Sequence, residues 1–261
     1  MNSVPVLIYH HVAPDREVTP EGFDAQLTRL KEKGWRSLSA SELHDHLTGR
    51  QDAGGKALVL TFDDGYYDNW AYATPLLKKH GFLAHQFPIT GRVTDGPVRA
   101  DPPADTLSRE REPEGFLTWD ELRAMRDSGV WEIGSHTHTH RGFEREAKFA
   151  DLDEELSRSR DLVSEKLGTW PGTIAWPWGD FEEEWLGRLE GHGYRLAFTA
   201  EPGSNPKGGG PWRVKRFKVQ NADLAWLERR LSIYQSSALA SAYSTVYGLD
   251  RKIKKSLQSD R

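Results

Sequence analysis

Short apolar runs alternate with amphipathic stretches along most of this chain, which predicts strands followed by helices in an α/β fold. Val4–Tyr9, Ala57–Phe62, Phe82–Ile89, Trp131–Ser135, Ile174–Trp176, Leu196–Thr199 and Val214–Val219 read as strands, with a shorter one at Trp35–Leu38. Helix signals fall between them. Thr19–Pro20 opens a helix with Phe23, Leu27 and Leu30 on one face, and Gly34 ends it. Ser39 with Glu42, and Thr118 with Glu121, have capping-box spacing. Pro75–His80 closes at Gly81, and Leu152–Leu167 is amphipathic and stops at Gly168. The pattern predicts a closed or nearly closed α/β barrel, a (β/α) barrel of roughly seven or eight parallel strands with helices outside. An open doubly wound sheet is the alternative, and periodicity alone does not separate the two.

Length and composition fit one soluble globular domain: 261 residues, 37% hydrophobic and 28% charged. Residues 1–235 carry the strand–helix pattern, and 236–261 read as a separate, helical tail with Arg251, Lys252, Lys254 and Lys255 near its end. Residues 92–116, rich in Pro, Arg, Asp and Glu, read as an excursion from the barrel, and 201–211 as a second loop. A net charge of −4 gives no basic field for nucleic acid. The absence of cysteine excludes disulfides and thiolate chemistry, leaving His, Asp and Glu as the strong metal ligands. No apolar run is long enough to span a membrane. No basic leader precedes Val4, so a cytoplasmic location is the default expectation. Ten tryptophans suit either packing or stacking on sugar rings.

Two runs carry candidate chemistry. The apolar stretch Ala57–Phe62 stops at Asp63–Asp64–Gly65, so a buried strand delivers two adjacent carboxylates at its C-terminal end, where barrel sites form. Their repulsion has to be offset, and a cation bound by one would leave the other free as a base. A helix cap and turn is the plainer reading of the same dipeptide. The second run, Trp131–Ser135, is followed by His136, His138 and His140. All three share one face if the strand continues, whereas a turn after His136 lets residues 136 and 140 converge. Two His with one carboxylate suit a catalytic metal with an open position for water.

Thr61–Phe62–Asp63–Asp64–Gly65 together with His136–Thr137–His138–Thr139–His140 resembles the first two motifs of the polysaccharide deacetylases, the carbohydrate esterase family 4 or NodB-homology group. The spacing to His140 is similar to the branch of poly-N-acetylglucosamine deacetylases. The resemblance implies a NodB-type barrel, with Asp64, His136 and His140 binding one divalent metal and Asp63 as general base. Zinc is the first expectation, and cobalt, nickel or iron suit the same ligands. Ile174–Gly179 resembles the third motif, with tryptophan at both tyrosine positions. It implies substrate contacts from Trp176, Pro177, Trp178 and Gly179, with Tyr66 beside the oxyanion. The family's usual C-terminal acid histidine has no counterpart, since Trp212–Leu231 contains no histidine. Val6–His11 instead resembles an N-terminal segment of this branch, making His10 the implied acid and His11 its neighbouring alternative. Trp212–Phe217 is similar to the fourth-motif region, and offers Arg213 or Arg216 to orient Asp63 or the acid.

The implied activity is metal-dependent removal of N-acetyl groups from an N-acetylated sugar or polysaccharide, releasing acetate. Polymeric, lipid-linked and nucleotide sugars all fit as the glycan partner. A metal-dependent amidohydrolase acting on small C–N substrates and a non-catalytic carbohydrate-binding module are the competing readings.

Overall fold

A computed structural model describes residues 3–100, 112–141, 149–170, 172–219 and 223–243. Within it the strands are β1 (Val6–Tyr9), β2 (Arg36–Ser37), β3 (Ala57–Asp64), β4 (Ala84–Pro88), β5 (Trp131–Ile133), β6 (Thr173–Ala175), β7 (Leu196–Phe198) and β8 (Phe217–Lys218). The helices are α1 (Pro20–Glu32), α2 (Ala40–Leu47), α3 (Thr74–His80), α4 (Trp119–Asp127), α5 (Phe149–Leu167), α6 (Glu183–Leu189) and α7 (Leu224–Tyr234). Each predicted strand is present, several trimmed at one or both ends.

The helix starts follow the local signals. Thr19 Oγ1 accepts the Gly22 N–H ahead of α1, whose N1 is proline. Ser39–Glu42 and Thr118–Glu121 both form complete capping boxes. Gly81 ends α3 in the left-handed conformation, which suits a residue without Cβ.

All strand pairs are parallel, in the order β5-β4-β3-β1-β8, with β2 beside the start of β3 and β6 paired to β7. Single bridges join these pieces into an irregular ring. Ser135 pairs with Ile174 between β5 and β6, and Phe198 pairs with Val214 just before β8. Such a ring has little free edge. It is the barrel rather than the open sheet.

Period-two alternation sorts residues that look uniformly apolar in the sequence. Leu58, Leu60 and Phe62 of β3 join the core beneath the outer helices, while Ala57 and Val59 join a separate core with Val6, Phe87, Ala175, Phe198 and Val214 from other strands. Thr61 and Asp63 continue this second, inward series. The excursion after β4 is tied down where it is described: Arg99 pairs with buried Glu121 at the start of α4 (2.7 Å) and lies over the Tyr67 ring. Residues 101–111 of that excursion lie outside the described part. Of the predicted helical tail, 237–243 are helical and 244–261 lie outside it.

Candidate metal and catalytic site

The C-terminal ends of the strands converge on a cavity of about 840 Å³. Parallel strands put their last residues at one end of the barrel, so β1 contributes His10, β3 contributes Asp63 and Asp64, and the loop after β5 contributes His136 and His140.

Asp64 ends β3 with φ 71°, a conformation that turns its side chain away from the strand's alternation. Its Oδ1 lies 3.4 Å from His136 Nε2 and 3.5 Å from His140 Nε2, and one ligand atom of each residue falls within 4.8 Å of the others. Atoms bound about 2.0–2.2 Å from a common ion stand roughly 3–3.5 Å apart, so the set fits a small divalent cation. His136 Nδ1 donates to the Ala175 carbonyl (2.7 Å), which leaves the Nε2 lone pair for a ligand bond. His138 is elsewhere, with Nδ1 at 3.0 Å from Thr90 Oγ1. The chain turns after His136, so residues 136 and 140 converge.

Asp63 is held apart from that set. Arg216, fully buried, donates to both of its oxygens (2.8 and 2.9 Å), to Thr61 Oγ1 and to the Thr199 carbonyl. Burial pushes the Asp63 carboxyl up, but the Arg216 guanidinium, His136 and His10 outweigh it and hold it below the usual carboxylate range. Asp64 is likewise held down, its burial outweighed by His136, His10 and His140. Burial opposes charge on His136, yet the two aspartates raise it. Burial, then His136, lowers His140 to about 4 despite the aspartates.

His10 lines the cavity, and its Nδ1 is buried with no hydrogen-bond partner among the described residues. Burial lowers its pKa, with Asp63 and Asp64 opposing and Lys218 and His136 adding to the fall. His11 is anchored differently: its Nδ1 sits 2.6 Å from Asp68, and its ring stacks on Tyr66 at 3.8 Å. Asp68, four residues beyond Asp64, has no strand or motif signal of its own. It also accepts the Val12 backbone N–H and the Asn69 side-chain amide N–H, and so pins the segment that follows β1.

The third-motif residues divide. Trp178 is 71% exposed at φ 59° and sets its indole edge-on to His140, with 5.2 Å between centroids. Trp176 is fully buried against Trp185 and Phe181 while still walling the cavity. Gly179 lines the cavity where any Cβ would lie 2.5 Å from that of Ala200. Pro177 is buried in the turn and is not among the residues lining the cavity; its ring fixes the backbone that presents Trp178. Arg213 lies outside the cavity lining. It is half exposed, pairs with Glu183 and lies over Phe181, while Arg216, three residues on in the extended segment before β8, points to the opposite, inner side. Tyr66 lines the cavity between His11 and Phe116. All four non-glycine residues with positive φ among the described residues, Asp64, Thr137, His140 and Trp178, belong to this site.

A parallel α/β barrel with a carboxylate–dihistidine cluster beside an arginine-held aspartate defines a class of metal-dependent hydrolase sites. The family model for polysaccharide deacetylase matches residues 50–197, and the chain belongs to that family. YxkH, a polysaccharide deacetylase-like protein of Bacillus subtilis (strain 168), is 27% identical over 221 residues, 83% of this chain and 71% of its own length. The poly-β-1,6-N-acetyl-D-glucosamine N-deacetylase of Escherichia coli (strain K12) is 26% identical over 68% of this chain, which spans only 30% of that relative. The structure of IcaB from Ammonifex degensii superimposes with a TM-score of 0.76 at 26% identity, covering 88% of this chain and 97% of that one.

Proposed function

We propose that this protein is a metal-dependent carbohydrate N-deacetylase that releases acetate from an N-acetylated glycan. The observation that carries the reading is the division of labour between adjacent carboxylates: Asp64 faces two histidine Nε2 atoms, and Asp63 faces Arg216. A divalent cation bound by Asp64, His136 and His140, zinc by first preference, would polarise the acetyl carbonyl and lower the pKa of water in the open position.

The protein's own groups supply the rest. Asp63, kept ionised and fixed in plane by the bidentate Arg216 contact, accepts the proton of the attacking water. His10, lining the same cavity, is the group placed to give a proton to the departing amine, and the burial that lowers its pKa makes it a stronger acid when protonated. Trp178 offers an exposed aromatic surface beside His140 for the apolar face of a pyranose. Trp176 and Gly179 form the close wall of the acetyl pocket, where added bulk has no room. Names of similar proteins support a β-1,6-linked N-acetylglucosamine polymer as the first substrate to try.

The test is acetate release from N-acetylglucosamine oligomers and from small amides, with bound metal measured in the same samples. Turnover of the oligomers that tracks metal content supports the proposal. Turnover of small amides alone would move the assignment to an amidohydrolase.

A further inference from the structure

The loop carrying His136 and His140 bends against the preferences of its own residues. Thr137 (φ 61°) and His140 (φ 59°) are both left-handed, and Thr137 is β-branched. Such backbone persists only where its surroundings over-determine it. Here the surroundings are one face of α5. The buried Glu155 carboxylate accepts the N–H of His138 (2.8 Å), the N–H of Thr139 (2.7 Å) and the Thr139 hydroxyl (2.7 Å). One turn later, Ser159 Oγ lies 2.6 Å from Ser135 Oγ, which accepts the Thr137 N–H. Thr137 Oγ1 accepts the His140 N–H. All four backbone N–H groups from Thr137 to His140 are therefore satisfied by side-chain oxygens, two of them by Glu155.

We infer that Glu155, with Ser159 four residues on along the same helix face, is a positioning residue for the metal site. It lines no part of the cavity, so it acts through the His138–Thr139 backbone, holding His136 and His140 toward Asp64 before any ion arrives. A carboxylate suits the task because it accepts several N–H and O–H bonds at once, each strengthened by its charge. Without it the loop would relax, and ion binding would have to order it again. The inference rests on the metal-binding reading of Asp64, His136 and His140, and not on which glycan is cleaved.

The test uses the full chain and Zn²⁺ alone, with affinity read by chelator competition and amide exchange followed in metal-free protein. Glu155→Ala is expected to weaken Zn²⁺ binding about 10- to 100-fold and to speed exchange at His138 and Thr139. Glu155→Gln, which keeps an acceptor oxygen, should fall between that variant and wild type. A cooperatively melting Glu155→Ala protein with Zn²⁺ affinity close to wild type would overturn the inference. If that variant fails to fold, Thr139→Val and Ser159→Ala carry the same comparison, and unchanged affinity in both overturns it. Wild-type protein that binds Zn²⁺ yet frees no acetate from any sugar would retire the deacetylase reading and leave the clamp standing.

Discussion

At the scale of single residues, the site depends on adjacent aspartates with different partners. Asp63→Asn should abolish acetate release while metal content stays near wild type, because Asp63 faces Arg216 and not the histidine pair. Metal loss in Asp63→Asn, with retention in Asp64→Asn, would reverse the two roles. Arg216 is fully buried and Asp63 nearly so, so Arg216→Met leaves an unpaired carboxylate and should cost about 3–5 kcal/mol in denaturant unfolding. Linkage gives the pH sign. The folded-state pKa of Asp63 lies below its unfolded value, so its stabilisation is complete above the ordinary carboxylate range and is lost as pH falls through the folded pKa. Asp63→Asn should therefore flatten the acid limb of stability against pH. His10→Ala should depress turnover with metal content unchanged, and should remove the loss of rate expected of wild type as pH rises through the His10 pKa. The same outcome from His11→Ala instead would transfer the acid to the Asp68-anchored ring.

Elements position these groups through contacts that a helix or strand signal does not contain. Gly134 follows β5 where the barrel turns toward β6, and a Cβ there would lie 2.7 Å from the Phe87 ring and 2.8 Å from the Thr173 carbonyl. The Ser135–Ile174 bridge that helps close the ring depends on this approach. Gly134→Ala should destabilise the fold by about 1–3 kcal/mol or more, read from a urea melt, and should weaken metal binding because His136 lies two residues away. A melt superimposable on wild type would show that the strands can part without cost. Helix α5 shows the same dependence. Leu152, Leu156 and Val163 are core residues on it, and the buried Glu155 and Ser159 interrupt that apolar face because they serve the histidine loop.

For the molecule as a whole, the ends of seven strands and the loops after them meet at one mouth, so ion binding ties distant parts of the chain together. Anything that binds only the folded state stabilises it, by about 2.7 kcal/mol at a concentration of 100 times Kd. Removing metal with a chelator should therefore lower Tm and abolish acetate release together, and added Zn²⁺ or Co²⁺ should restore both. A Tm indifferent to chelation and to added ion would argue against a bound metal at Asp64, His136 and His140.

The strands, the helix caps and each of the two runs, Asp63–Asp64 and His136–His140, were legible in the amino-acid order because these are local: burial patterning, capping chemistry and residues a few positions apart. The sequence also identified both arginines without choosing between them; spacing alone left His138 open beside His140, although the motif resemblance implied His140. Those choices belong to the tertiary structure. Which side of the extended segment before β8 looks inward put Arg216 rather than Arg213 on Asp63, and the left-handed turns at Thr137 and His140 sent His138 away from Asp64. Asp68 and Glu155 were hidden for the same reason. Each acts on a segment distant in sequence or on a neighbouring backbone, and such partners become adjacent only when the barrel closes.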